Sequence, residues 1–303
     1  GSDMKSRLNR PVKGAFVVEP DTGIHENLLL FDFRSLYPSI IISHNVDPAT
    51  IDCDCCLGEE AFTAPNDVRF CRKTRGFIPT VLREIIDKRV EVKGLLKKEE
   101  DEFKTRVLDV KQQALKILAN SAYGYYGFAR ARWYCRECAA AITGWGRKYI
   151  HDTIEFAGEQ GFQVVYGDTD SVYLKHPGDL NREEIMGKAR EFQVKVNDKL
   201  PEAMELEFEG FYPRGVFVTK KRYALIDVEG KLSIKGLETR RRDWADIAKD
   251  TQERVLDAIL RDNDPEKAAD LVMKVIEDLK DGRVGMDDLI IHTQMTRKIG
   301  DYV

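Results

Sequence analysis

Apolar residues in this chain gather in short runs and helical stripes rather than in long stretches. Leu28-Leu-Leu-Phe-Asp-Phe33, an apolar run interrupted by one carboxylate, reads as a buried strand. The residues after it, to Ser43, read as a helix beginning near Tyr37-Pro38, because proline is favoured in a first turn. Asn45 to Gly76 is loop-like, with Pro48, Gly58, Pro65 and the first cysteines. Pro79 to about Lys98 carries Val81, Leu82, Ile85, Ile86 and Val90 at helical spacing. Phe103 to Tyr123 carries Val107, Leu108, Leu115 and Leu118 on a stripe of its own. The charged residues between them predict an exposed turn and an antiparallel helical hairpin. Ala139 to Glu159 and Glu183 to Leu200 read as further helices. Phe162 to Tyr166 and Ser171 to Leu174 predict a β-hairpin with Gly167-Asp-Thr-Asp170 at its tip. Val216 to Asp227 and Lys231 to Lys235 predict a second hairpin across Glu229-Gly230, and from Trp244 on the chain is mostly helix. The class is α+β, a hairpin-built sheet with a projecting helical pair.

Composition narrows this little. With 303 residues, 43% hydrophobic and 33% charged, the chain is one large domain or two ordinary ones, and global disorder is excluded. No uninterrupted apolar run of about 18 residues and no signal-peptide pattern occur, so no membrane span is expected and the cytoplasm is. Gly1 and Ser2 read as a cloning remnant. The net charge of −4 alone gives no reason for a nucleic-acid partner. Its distribution does. Lys104 to Lys148 holds nine Lys/Arg against two acids, and Phe211 to Lys249 ten against five. Acids cluster at Glu183 to Glu209 and beyond Asp246. That alternation suits a phosphate-facing groove with an acidic exterior, although charge scattered over solvated helices gives the same counts.

Six cysteines stand at 53, 55, 56, 71, 135 and 138. Cys53 to Cys56 with Cys71 could form a zinc cluster, but the usual paired C-x-x-C spacing is not met and no histidine is near. They are expected to be structural, either free or paired Cys56–Cys71 and Cys135–Cys138, and no chemistry is assigned to them.

Four places carry candidate chemistry. Asp32 interrupts an apolar strand, where an unpaired carboxylate is costly; it reads equally as a cap for the following helix. Asp168-Thr-Asp170 is a turn by itself, but Val164, Val165, Val172 and Leu174 put it at the end of a buried sheet. Carboxylates converging there repel unless a divalent cation offsets them, and oxygen ligands select Mg²⁺ or Mn²⁺ over zinc. Arg89 and Lys93 share one helix face, as do Lys116 and Asn120, and facing each other they make a cationic surface suited to a triphosphate. Thr219-Lys-Lys-Arg-Tyr-Ala224 reads as consecutive cations on a strand, suited to tracking a nucleic-acid backbone or simply a charged edge.

Together these segments resemble family B DNA polymerases. Asp32-Phe-Arg-Ser-Leu-Tyr-Pro-Ser-Ile40 is similar to the family's first polymerase motif. Lys116-Ile-Leu-Ala-Asn-Ser-Ala-Tyr-Gly124 resembles its fingers motif, Tyr166-Gly-Asp-Thr-Asp-Ser171 its third motif, and Lys220-Lys-Arg-Tyr223 its primer-side motif. Glu207-Phe-Glu-Gly-Phe-Tyr212 and Arg130-Ala-Arg-Trp-Tyr134 point to the archaeal branch. The order and spacing match from about Val12 to Val303.

The resemblance implies a right-hand polymerase palm with an antiparallel sheet, two-helix fingers and a partial helical thumb. Its parts would be palm over 1–76, fingers over 77–126, palm again over 127–213, and the palm–thumb junction with a truncated thumb over 214–303. The implied activity is template-directed addition of dNTPs to a primer 3′-hydroxyl, with two Mg²⁺ ions that Mn²⁺ can replace. By the same resemblance Asp32, Asp170 and the carbonyl of Phe33 would bind the metals, with Asp168 and Glu209 as secondary carboxylates. Arg89, Lys93, Lys116 and Asn120 would grip the triphosphate, and Ser35, Leu36 and Tyr37 would line the nucleotide pocket, the Tyr37 ring disfavouring a 2′-hydroxyl. Tyr123, Gly124 and Thr169 would lie at the DNA, and Lys220, Lys221, Arg222, Tyr223, Arg240, Arg241 and Arg242 would hold primer and template. Implied partners are primer–template DNA, dNTPs, an exonuclease or N-terminal domain and a sliding clamp, in the archaeal nucleoid, with no membrane. Only 31 residues precede Asp32, without a D-x-E exonuclease signature, and the chain stops partway through the expected thumb. An excised module and a naturally split chain both fit. A catalytically dead DNA-binding relative and a polymerase accepting RNA template stay open as alternatives; loss of the motif carboxylates would mark the former, and all are present.

Overall fold

The computed structural model describes residues 7, 12–56, 60–241, 243–295 and 300. Its centre is a six-stranded antiparallel sheet in the order β4-β5-β1-β6-β7-β8. The strands are β1 (Gly23–Phe33), β4 (Gln163–Asp168), β5 (Ser171–Lys175), β6 (Leu206–Thr219), β7 (Arg222–Ile226) and β8 (Leu232–Lys235), with β2 (Phe62–Thr63) and β3 (Arg69–Phe70) forming a separate ladder. The helices are α1 (Leu36–Ser43), α2 (Phe77–Leu96), α3 (Glu102–Gly127), α4 (Arg136–Glu159), α5 (Arg182–Asn197), α6 (Asp246–Leu260) and α7 (Pro265–Lys280). The α+β class stands. No helix among the described residues is long and apolar enough to cross a membrane.

The apolar run at Leu28 to Phe33 is continuous because both faces of β1 are covered. Leu29, Phe31 and Phe33 pack with Ile40, Ile142 and Phe192 from α1, α4 and α5. Leu28, with Leu30 packed beside it, joins an aromatic cluster of Tyr166, Tyr173, Phe217 and Tyr223 on the opposite face. Alternation along the strand puts Asp32 on that second face, at the end where the cluster stops. α1 is buried nearly all round, as a helix without a polar side must be.

The helical hairpin forms as expected, with Asp101 accepting the Lys104 amide at 2.8 Å to cap α3. Only part of the two predicted stripes is buried. Of the stripe residues Leu82 is buried, Val81, Ile85, Ile86, Leu108 and Leu115 are half-buried, and Val90, Val107 and Leu118 stay exposed; Val92, Ala119 and Tyr126, outside the stripes, are covered. Two helices projecting from a sheet share one seam and cannot cover more.

Two strand expectations are corrected. β6 begins ten residues before Val216, in a stretch whose period-two pattern is broken by Gly210 and Pro213. The stretch Val216 to Asp227 is not one strand: it folds back at Lys220-Lys221, with Lys221 at φ 62 and Thr219 paired to Arg222. The consecutive cations therefore occupy a tight turn. Gly236, at φ +63, packs against the Lys221 carbonyl, where a Cβ would collide with backbone. The loop expected over 45–76 contains β2, β3 and a 3₁₀ turn at Pro48–Thr50. Cys135 and Cys138 are free; the Cys135 sulfur accepts the Cys138 amide at the start of α4.

Candidate active site

The central position of β1 decides where the acids meet. Asp32 stands opposite Ser171 of β5 and Glu207 of β6. The β4–β5 turn consists of Thr169, at φ 59, and Asp170. The Phe33 amide donates to the Asp170 carbonyl at 2.8 Å, which ties the turn to the end of β1 and sets Asp170 beside Asp32. A register shift supplies the third carboxylate. Leu30 pairs with Gly210 but Phe31 with Phe208, so Glu209 is the extra residue of a bulge. Asp32, Asp170 and Glu209 line one cleft of about 460 Å³.

Their charges are poorly compensated. The Asp32 carboxyl is pushed up to about 7, first by burial and then by the charges of Asp170, Glu209 and Glu207, with Lys116 opposing. Burial also raises Asp170, and the Asp168 charge adds to it, against Lys116 and Lys221. Glu207 differs, because Arg34 donates Nε to it at 2.8 Å and also holds Glu205 at 2.6 Å. An all-oxygen donor set with unneutralised negative charge fits a hard divalent cation. The Phe33 ring is buried in the core, so its backbone is what can reach the cleft.

The opposite wall comes from the helical hairpin. Arg89 and Lys93 of α2 and Lys116 and Asn120 of α3 all line the cleft. Arg89 Nε is buried without a hydrogen-bond partner. Its guanidinium pKa is lowered, first by burial and then by Arg34, while Glu207 opposes. A buried donor left unpaired costs about 1–3 kcal/mol, so this wall suits an anionic oxygen.

The floor is aromatic. Ser35, Leu36 and Tyr37 line the cleft, and Ser35 at φ 48 and ψ 51 turns the chain sharply from β1 into α1. The Tyr37 ring lies 4.6 Å from that of Tyr123. Gly146 of α4 backs it so closely that a Cβ there would come within 3.1 Å of the ring. Gly124 faces open space one turn beyond Asn120.

Several other candidates are not brought into the cleft. Thr169 lines it, but Asp168 does not: its carboxylate is held by Lys221 at 2.7 and 2.8 Å. Lys220 pairs with Glu19 at 2.5 Å, Arg222 with Glu238, and Arg241 with Asp243 at 2.8 Å. The Tyr223 hydroxyl is engaged with that of Tyr173 at 2.7 Å inside the aromatic cluster. Arg242 and the side chain of Arg240 lie outside the described residues. Sequence reasoning missed Arg34, Glu207 and Gly146. Acids two apart at Glu205, Glu207 and Glu209 were the available signal for one acid-bearing strand face.

The sequence profile of DNA polymerase family B matches residues 2–303. The DNA polymerase of Thermococcus gorgonarius is 48% identical over 299 residues, covering 98% of this chain and 38% of that protein. That of Pyrococcus glycovorans is 48% identical over 302 residues, covering 99% and 39%. The solved family B DNA polymerase of the hyperthermophilic archaeon Pyrobaculum calidifontis is 34% identical, with a TM-score of 0.74 over 97% of this chain and 38% of that one. The chain thus spans less than half the length of the curated relatives it matches. It belongs to DNA polymerase family B.

Proposed function

We propose that this chain carries the polymerase active site of a DNA-directed DNA polymerase, which adds dNTPs to a primer 3′-hydroxyl and releases pyrophosphate. The observation that carries the reading is the meeting of Asp32, Asp170 and Glu209 with Arg89, Lys93, Lys116 and Asn120 across one cleft. Carboxylates on one wall and cations on the other suit a metal-bound triphosphate. Family B polymerases are metal-dependent. Mg²⁺, with Mn²⁺ as a substitute, is the class the oxygen donors select. Asp32, Asp170 and the Phe33 backbone would hold it, with Glu209 at hand. Such ions lower the pKa of an attacking hydroxyl and offset charge on a leaving pyrophosphate.

The chain's own residues supply the rest. Arg89, Lys93 and Lys116 neutralise phosphate oxygens and fix the nucleotide's position. Tyr37, packed against Tyr123 and Gly146, limits the room beside the sugar. In this reading the sheet with α1, α4 and α5 is the palm, the α2–α3 hairpin the fingers, and α6 and α7 part of the thumb. Lys220 and Arg241 are held only in solvent-exposed ion pairs, so primer–template phosphates can exchange for their present partners. In the whole protein an exonuclease or N-terminal domain and a sliding clamp in the nucleoid are the further partners proposed. The test is primer extension with Mg²⁺: elongation that needs both template and dNTPs supports the reading, and its absence in a folded, DNA-binding preparation refutes it.

A further inference from the structure

Away from the cleft, the loop between α1 and α2 gathers four cysteines. The Sγ atoms of Cys53, Cys55, Cys56 and Cys71 all lie within 4.8 Å of one another, and none is in a disulfide. Cys55 and Cys71 are 3.4 Å apart, Cys56 and Cys71 3.8 Å, and Cys55 and Cys56 3.9 Å. Four thiolates around zinc at the usual ~2.3 Å bond length form a tetrahedron with edges of about 3.8 Å. The sulfurs already stand near that spacing. A disulfide would instead need one pair at about 2.05 Å.

We propose that Cys53, Cys55, Cys56 and Cys71 form a closed, structural zinc site that staples the loop between α1 and α2. Four protein sulfurs leave no open position, as in structural rather than catalytic zinc sites, and a soft thiolate set selects zinc over the oxygen-preferring ions of the cleft. The surroundings are those of a metal–thiolate centre. The Thr74 amide donates to Cys71 Sγ at 3.2 Å, and the Lys73 ammonium lies 2.6 Å from the Cys55 carbonyl. The Thr74 N–H faces the net charge of −2 that four thiolates and Zn²⁺ carry, while Lys73 is shared with Glu60 at 3.1 Å. Cys56 and Cys71 are buried with Ala61 in a small cluster of their own, too small to hold a loop by apolar burial. The spacing C-x-C-C followed by a distant cysteine departs from paired C-x-x-C units; Asp52, at φ 45, and the β2–β3 ladder bring Cys71 back to the first three.

The staple would act on the fingers. The Cys71 amide bonds the Thr50 carbonyl at 2.9 Å, and Asn45 Nδ2 donates to the Cys71 carbonyl at 2.7 Å. Asn45 Oδ1 then accepts from Gly76, and Asp47 Oδ2 from Ile78, at the start of α2. The site thus fixes the foot of the helix that bears Arg89 and Lys93.

The test is metal analysis of this protein, purified anaerobically without chelator. One zinc per chain is expected, released by a mercurial reagent. Exchange with Co²⁺ should give the thiolate charge-transfer and visible bands of a tetrahedral site. Cys55→Ser, at an exposed sulfur, should weaken zinc binding at least about tenfold while the far-ultraviolet circular dichroism is unchanged. Cys138→Ser should leave the zinc content as it was. Far less than one zinc, together with no cobalt–thiolate bands, overturns the proposal. So does a disulfide among these four found by mass spectrometry, or iron in place of zinc. None of these readouts depends on polymerase activity.

Discussion

Lys221 Nζ lies 2.7 and 2.8 Å from the two carboxylate oxygens of Asp168, two residues before Asp170. One turn therefore carries two acids in opposite circumstances. Asp168 is neutralised from the neighbouring β6–β7 turn, whereas Asp170 faces the cleft beside Asp32 and Glu209. The Lys221 amide also donates to the Tyr166 hydroxyl at 2.8 Å, so the two hairpin tips are joined by backbone as well as by charge.

This pairing makes Asp168 a positioning residue. Asp168→Asn should lower single-turnover incorporation by about tenfold or less, and Lys221→Ala by a similar amount. The double variant should be little worse than either, because both remove one interaction. A loss for Asp168→Asn as large as for Asp170→Asn would contradict the assignment.

Arg89 is the cation most exposed to a missing partner. Arg89→Ala and Lys116→Ala should each raise the nucleotide KM and slow incorporation, together about a hundredfold in kcat/KM. The dissociation constant for primer–template should barely move. A change mainly in DNA affinity, read by fluorescence anisotropy, would place this wall on the wrong ligand.

The Tyr37 ring packs against both Tyr123 and Gly146. Tyr37→Ala should increase ribonucleotide incorporation relative to deoxyribonucleotide by at least about tenfold, since removing a packed ring frees more room than one methylene. Gly146→Val, which touches no nucleotide, should shift the same ratio by displacing the ring. If the ratio stays constant in both variants, the ring does not set sugar discrimination.

His44 gives a stability prediction with a definite sign. It stacks on Trp145 at 3.9 Å, and its Nε2 meets the Tyr149 hydroxyl at 2.8 Å. Burial, aided by the Arg72 charge, depresses its pKa from 6.5 to about 4. The unfolded chain therefore takes up a proton first as pH falls. The neutral ring's contribution is complete above about 6.5, declines between there and about 4, and is worth on the order of 3 kcal/mol. Urea unfolding of wild type and His44→Gln at several pH values should show a steeper acid loss in wild type. Parallel curves would contradict this.

The motif-bearing elements were legible because their chemistry is local. Asp32 in an apolar run, two acids in a hairpin tip and cations four apart on a helix each constrain the backbone within a few residues. The bulge at Glu209 was not legible, since it arises from the mismatch of β6 against β1 rather than from either strand alone. Nor was the turn at Lys220-Lys221, which takes no glycine or asparagine at its positive φ and relies on Gly236 from another strand end to make room. The four-sulfur cluster escaped the spacing argument because tertiary folding, not sequence distance, brings Cys71 to Cys53.

The central claim is that Asp32 and Asp170 together hold the metal on which extension depends. The most direct measurement is single-turnover primer extension by Asp32→Asn and Asp170→Asn, with DNA binding and circular dichroism recorded on the same preparations. A fall of about a thousandfold or more in each, with folding and DNA affinity preserved, is the predicted result. Near-normal extension by either variant would contradict it.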